Sequence, residues 1–178
     1  QVERCNQILK RLSLNPNEED DFIDEDISMK EYLREIVTSF TETSNNEFIL
    51  NVDQDANSKK ITKSIEIIYG LRNFVGNANK FCKNKIYISL KSNNEITEIV
   101  IEDDGEGYPA DILSKIGEPY LKTPNNKESK SKSGLGLGIF IGKTLLEKNF
   151  AIINCRNSKT RSGAEVIIKW KNSDLFKI

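Results

Sequence analysis

A chain of 178 residues, 37% hydrophobic and 30% charged, carries apolar material for about one domain with its own core, which excludes global disorder. Its 26 Lys and Arg against 27 Asp and Glu leave a net charge of −1, so a strongly basic nucleic-acid binder is excluded and no nucleic-acid partner is expected, a local patch aside. No stretch approaches the ~18 continuous apolar residues of a membrane helix, and Gln1-Val2-Glu3-Arg4 is too polar to open a signal peptide.

The opening without Met is expected of a fragment or a processed chain, with any membrane anchor of its parent outside it. Cys5, Cys82 and Cys155 are widely separated, which makes neither a disulfide framework nor a zinc spacing and fits a reducing cytoplasm. There is no histidine, so a His-based triad, His metal ligands and a phosphohistidine within this chain are all excluded.

In chain order, Val2, Cys5, Ile8, Leu9 and Leu12 fall on one face of a helix over 2–12 that Asn15-Pro16-Asn17 stops. Seven of the ten residues 17–26 are Asp or Glu, which reads as a solvated linker over 14–27; a cation site has no turn glycine or ligand spacing in its support. Ser28-Met29-Lys30-Glu31 is a capping box, and Met29, Tyr32, Leu33, Ile36, Val37 and Phe40 continue an amphipathic helix. A strand is expected over 47–53, and a second helix from Ser64 to about Cys82. Two alternating strands follow, Ile86-x-Ile88-x-Leu90 and Ile99-x-Ile101, turning at Ser92-Asn93-Asn94. A short helix is expected after Pro109, a mobile polar loop over 121–133, a helix to about Lys148, and final strands near 150–156 and 164–170 joined by a turn ending at Gly163. Strands that pair with strands, with helices gathered to one side, argue an α+β sandwich with helices on one face of a sheet.

Three pieces carry chemistry. On the helix over 64–82, Asn73, Asn77 and Lys80 form a narrow stripe beside an apolar arc of Leu71, Phe74, Val75, Ala78, Phe81 and Cys82. Two amide oxygens one turn apart can complete a hard cation's shell and a lysine can neutralise a phosphate, although a solvent-facing helix edge has the same spacing. Asp103-Asp104-Gly105-Glu106-Gly107 ends a strand. Period two puts Asp103 with Ile99 and Ile101 on the helix-covered face and Asp104 on the other. A carboxylate at the rim of a core needs donors, and an exocyclic amine such as adenine's is one; an ordinary Asp-Gly turn is the plainer alternative. Gly105 and Gly107 let the backbone turn and approach a ligand.

The third piece is Gly134-Leu135-Gly136-Leu137-Gly138, entering an apolar helix whose N-terminus can hold an anion. A dinucleotide fingerprint fails because Ile139 occupies its last glycine position, and a P-loop fails because Leu137 stands where its first glycine belongs. Gly142-Lys143-Thr144 falls inside the helix, with Lys143 read as solvated. Just upstream, Lys122, Lys127, Lys130 and Lys132 against Glu128 make a local charge of +3, either a solvated loop or a lid that closes on polyphosphate.

Together the pieces resemble the ATP-binding catalytic domain of bacterial sensor histidine kinases, the ATPase fold shared with gyrase, Hsp90 and MutL. Leu71–Phe81 resembles the N box, Asp103–Gly107 the G1 box and Gly134-Leu135-Gly136-Leu137 the G2 box, and the resemblance spans roughly 28–171. Ile116-Gly117-Glu118-Pro119-Tyr120, the helix ending Leu145-Leu146-Glu147-Lys148 and the strand ending in Trp170 further resemble the RegB/PrrB redox-responsive subgroup. Lys132, where the G2 pattern has its first glycine, and an F box reduced to Pro119-Tyr120 depart from the pattern.

The resemblance implies a mixed, mostly antiparallel sheet covered on one face by helices. It implies the end of a dimerisation helix at 1–13 and a catalytic domain over 28–178, with its lid at about 119–133. Asn77 with Asn73 would coordinate Mg²⁺ on ATP, Lys80 would contact phosphate, and Phe81 would stand by the nucleotide. Asp103 would accept from the adenine amine in a pocket shaped by Gly105 and Gly107. Lys122 and Thr123 in the lid, with Gly134, Leu135, Gly136 and Leu137, would bind the phosphates. The implied reaction sends the γ-phosphoryl of ATP to a histidine outside this chain and then to an Asp of a response regulator. The parent would be a homodimer in the bacterial inner membrane with this domain in the cytoplasm. Where gyrase-type relatives have a Glu that activates water, this chain has Asn73, and an amide is no general base near neutral pH. A nucleotide-sensing module without catalysis and a serine kinase of the anti-sigma type are the rival functions. No basic cluster stands near any cysteine in sequence, so no redox role is expected.

Overall fold

The computed structural model describes residues 26–53, 60–62, 64–113, 115–118 and 137–175. The helix expected at 2–12, the linker up to residue 25 and the lid at 119–133 lie outside them.

The first helix, α1 (Met29–Thr41), starts where its sequence says it should. Ser28 Oγ accepts from the Glu31 N–H (3.3 Å), and Glu31 Oε2 accepts from the Ser28 N–H (2.7 Å), a reciprocal cap worth about 1 kcal/mol. Its apolar stripe buries Met29, Tyr32, Leu33 and Ile36. The Tyr32 hydroxyl accepts the backbone N–H of Ser64, the residue that caps α2 (Ile65–Phe81), so the two helices are tied at the start of α2. The remaining helices are α3 (Ala110–Leu113), α4 (Gly138–Lys148) and α5 (Asn172–Leu175).

The main sheet runs β2 (Glu47–Val52), β4 (Lys85–Ser92), β5 (Ile96–Asp103), β7 (Ala164–Lys171), β6 (Ile152–Asn157) in that spatial order. Among the described strands only β2 and β4 pair in parallel, so the sheet is mixed and mostly antiparallel, as expected. Register aligns Ile88, Ile101, Val166 and Cys155 across four strands. On this covered face Ile86, Ile88, Leu90, Ile99, Ile168 and Trp170 are at most 1% exposed. The opposite face is polar. Lys169 pairs with Glu98 (2.7 Å), Arg161 with Glu102 (3.3 Å), and Arg156 with Glu165. The basic partners are exposed and the carboxylates only partly so, which leaves each pair a modest contribution, so the fold rests on the covered face.

A two-stranded ribbon, β1 (Asp26–Ser28) with β3 (Lys60–Thr62), was not expected. Asp26 and Ile27, read above as the end of the linker, belong to it, and Ile27 and Ile61 enter the core. Three-residue strands are too short to display a period. Among the described residues no helix is long and apolar enough to cross a membrane.

Candidate functional site

The helix α2 is the spine of the site. Asn73, Asn77 and Lys80 lie half-buried along one stripe of it, while Leu71, Phe74, Val75 and Ala78 are buried. The Asn73 amide nitrogen donates to the Tyr69 carbonyl (2.8 Å). That bond fixes which end of the amide is free: Oδ1, an acceptor, faces away from the helix. The Asn77 side chain, one turn on and half-buried, makes no hydrogen bond to the described residues. Burial holds the Lys80 ammonium below its ordinary pKa, and it stands 5.1 Å over the Phe81 ring. Phe81 departs from the apolar arc in which the sequence placed it: it is 48% exposed, an aromatic face at the end of the stripe.

The N-terminal end of α4 runs beside this stripe. A Cβ on Gly138 would stand 3.7 Å from Asn73 Oδ1. One turn on, Gly142 is buried against α2; a Cβ there would meet Phe74 Cε2 at 3.0 Å, Asn73 Cβ at 3.1 Å and the Gly70 carbonyl at 3.1 Å. Gly142-Lys143-Thr144 is therefore a helix-packing element. Lys143 is less solvated than expected: its stem covers Gly117, whose φ of +94° suits glycine, and its ammonium lies 3.8 Å from Glu147. Leu137 stands at the N-cap of α4 with helical backbone and makes no side-chain cap hydrogen bond, so no side chain of the described residues is recorded capping the first N–H groups of α4.

At the C-terminal end of α2 stands the turn that follows β5. Asp103 is 2% exposed, and its Oδ1 accepts the N–H groups of Gly105 (2.8 Å) and Ala164 (3.3 Å). Burial pushes its carboxyl above the ordinary value, the two N–H groups oppose that, and the charge of Asp104 adds to it. Oδ2 receives no bond from the described residues. Gly105 packs so closely on the Phe81 carbonyl that a Cβ would overlap it, which brings the turn onto the end of α2. Gly107 has φ +77°, open to glycine at little cost. Gly163, noted in the sequence only as the end of a turn, leaves room for Asp103: a Cβ there would overlap both its carbonyl and its Oδ1.

Beyond the turn, the Tyr108 hydroxyl is buried with no oxygen or nitrogen partner among the described residues and only the Cys155 thiol beside it. Cys155 is half-buried, and burial pushes that thiol up to about 11, opposed by the charge of Lys143 and the Tyr108 hydroxyl. Such a thiol is a small apolar group at neutral pH, not a reactive one.

The structure thus brings together Asn73, Asn77, Lys80, Phe81, Asp103, Gly105, Gly107 and Leu137. Lys122, Thr123, Gly134, Leu135 and Gly136 lie outside the described residues. Among those described, no three His, Cys, Asp or Glu side chains form a metal cage. The available donors, neutral amide oxygens, suit a hard cation that brings most of its own ligands, as Mg²⁺ does on phosphates.

The sequence model for histidine kinase-, DNA gyrase B- and HSP90-like ATPases matches residues 62–174. The chain belongs to this ATPase family. It is 33% identical over 165 residues to the sensor histidine kinase RegB of Cereibacter sphaeroides, covering 89% of this chain and 35% of that protein. It is 28% identical over 170 residues to the sensor protein kinase PilS of Pseudomonas aeruginosa, covering 91% and 29%. The chain therefore spans about a third of the length of these relatives. Among solved structures, the mycobacterial sensor histidine kinase MprB superposes with a TM-score of 0.67 at 19% identity, covering 83% of this chain and 96% of that one. Full-length ShkA in complex with AMPPNP gives the same TM-score over 82% of this chain and 30% of its own. These ATPase-family neighbours bear out the expected α+β fold, and the relatives bear out the RegB-like resemblance.

Proposed function

We propose that this chain binds ATP with Mg²⁺ between the stripe of α2, the turn after β5 and the N-terminal end of α4, as the catalytic domain of a sensor histidine kinase. The observation that carries this reading is the Asp103 carboxylate: buried, with Oδ1 occupied by two backbone donors and Oδ2 without a bond from the described residues, at the end of the helix that bears both amides. Oδ2 accepts the purine amino group; Gly105 and Gly107 shape the pocket around the base, with Phe81 at its edge. Asn73 and Asn77 present amide oxygens to the ion, which neutralises phosphate charge when bound. Lys80 and the N-terminal end of α4 supply positive potential to the phosphates. Lys122, Thr123, Gly134, Leu135, Gly136 and Leu137 complete the phosphate end, the first two from a lid over 119–133.

Phosphoryl transfer needs positioning and charge neutralisation more than a protein nucleophile. The acceptor is a histidine on a dimerisation segment of the parent, since this chain has none, and the phosphoryl group passes on to an Asp of a response regulator. Residues 1–13 end that dimerisation helix and those up to 25 link it to the domain, which Asp26 and Ile27 join through β1. The parent is a homodimer in the inner membrane with this domain on its cytoplasmic side.

Calorimetry of ATP binding with and without Mg²⁺, on the wild type and on Asn77→Asp and Asp103→Ala, tests the site. Mg²⁺-dependent binding in the wild type and weakened binding in both variants are expected; a wild type with no affinity for ATP refutes the reading. Phosphotransfer to a histidine-bearing segment supplied in trans tests the reaction, and its absence with ATP bound points to a nucleotide sensor instead.

A further inference from the structure

Two side chains not assigned to the nucleotide grip the turn after β5 from its two ends. Upstream, Asp104 Oδ1 accepts three backbone N–H groups, from Lys83 (2.8 Å), Asn84 (3.0 Å) and Lys85 (3.1 Å), while the Asp104 N–H donates to the Lys85 carbonyl (3.2 Å). Those three residues carry the chain from the end of α2 into β4. Burial works against the Asp104 charge, but the three N–H bonds outweigh it and hold the carboxyl below its ordinary value. Downstream, Asn157 at the end of β6 takes both polar backbone groups of Tyr108: its Oδ1 accepts the N–H (2.6 Å) and its Nδ2 donates to the carbonyl (3.0 Å). Asn157 also lies on the turn itself, since a Cβ on Gly107 would stand 2.7 Å from its Oδ1.

The stretch between these anchors contains two glycines, the residues least able to hold a backbone in one conformation. Asp103 closes β5 opposite Ile86, so the sheet holds its backbone. What the turn's own preference does not fix is how the residues after it, whose Gly105 N–H orients the Asp103 carboxylate, lie against α2. That falls to two anchors: one to the α2–β4 connection, one to the edge strand β6.

We propose that Asp104 and Asn157 are positioning residues of the base pocket, holding the turn so that the Asp103 carboxylate meets the purine amino group. The inference rests on the reading of Asp103 given above. Loosening either anchor lets the turn shift against α2, and a hydrogen bond that depends on a fixed carboxylate is lost without any group leaving the pocket.

Titration of the whole chain in the cold with ATP, with ITP, which has a carbonyl in place of the amino group, and with Mg²⁺-tripolyphosphate separates position from stability. The wild type is expected to prefer ATP to ITP. Asp104→Ala and Asn157→Ala should each weaken ATP about 5- to 20-fold, the loss of one misaligned hydrogen bond, with ITP and tripolyphosphate held within about twofold. Asp104→Asn, which keeps an Oδ1 acceptor, should recover most of the loss. Equal losses for all three ligands, or unchanged discrimination in both Ala variants, overturn the positioning role alone. A wild type that binds ATP and ITP alike overturns the reading of Asp103, and the positioning role falls with it. If Asp104→Ala fails to fold, Asn157→Ala, at an exposed position, carries the test unaided.

Discussion

Replacing Asp103 by Asn separates recognition from packing. The amide is isosteric, and its Oδ1 can keep the bonds from the Gly105 and Ala164 N–H groups. What it removes is a charge at a position 2% exposed. Burial raises the Asp103 carboxyl above its ordinary value, so between that value and the raised one the folded chain binds more protons than the unfolded chain. Stability from this group is full below the unfolded carboxylate value of about 4 and is lost as pH rises through the folded one. At neutral pH the D103N chain should therefore unfold at the wild-type temperature or above it, and lack that decline. Binding should move the other way. The open carboxylate oxygen becomes an NH₂ donor facing the donor amine of adenine, and a hydrogen bond to a charged group is worth about 1.5–3 kcal/mol. ATP affinity should fall about 10- to 150-fold, while ITP, with an acceptor at that position, should lose little. Thermal unfolding across pH and calorimetry with both nucleotides measure the two effects on one sample. If D103N binds ATP within about threefold of the wild type, less than even one such hydrogen bond is worth, the carboxylate does not read the base.

Gly142→Ala places a methyl 3.0 Å from Phe74 Cε2 and 3.1 Å from both Asn73 Cβ and the Gly70 carbonyl. Overpacking of this kind costs about 1–3 kcal/mol, which lowers the melting temperature by about 3–10 °C in a domain of this size. It should also weaken Mg²⁺-dependent ATP binding by displacing Asn73; an unchanged melting curve in scanning calorimetry refutes the close packing. Tyr108→Phe deletes a buried hydroxyl whose only neighbour among the described residues is the weakly bonding Cys155 thiol, so melting should stay level or rise by up to about 1–2 kcal/mol in stability. A lower melting temperature means the hydroxyl has a stronger partner. Cys155, its thiol pushed up to about 11 by burial, should resist iodoacetamide in the folded chain at neutral pH and react once unfolded. Mass mapping of the alkylated peptide decides it, and rapid native labelling contradicts the inert reading.

The parts of this architecture that repeat in sequence were legible there, and those made by single contacts were not. Helix α1 announces itself through Ser28 and Glu31 three residues apart, and β5 through alternation that put Asp103 on the covered face. The ribbon of β1 and β3 was hidden because three residues carry no period. Gly142 looked like part of a failed phosphate loop because sequence holds no trace of Gly70 and Asn73 facing it across a helix interface. Phe81 fell in the apolar arc of a helical wheel, yet α2 ends there and nothing continues the core over its ring. Asp104 was correctly turned away from the covered face, but its bonds to residues about twenty positions earlier are a property of how β4 lies beside β5.

The same contacts explain why the site is built along α2. Gly105 seats the turn after β5 on the Phe81 carbonyl, and Gly138 and Gly142 seat α4 beside Asn73. Eight residues of helix separate those contacts, about 12 Å at 1.5 Å per residue, so the distance between the ends proposed for the base and the phosphates is set by a rigid rod and not by loops. Residue 73 also has a constraint of its own. Its inner atom donates to the Tyr69 carbonyl, which an amide can do and an ionised carboxylate cannot. A Glu at that position would have to turn its charge outward, toward the nucleotide and any water beside it, where it could serve as a base. Asn73 offers only a neutral oxygen there. In the proposed reading α2 would face the ion and the phosphates without offering a base at residue 73, as transfer of the phosphoryl group to another protein segment, rather than to water, would require.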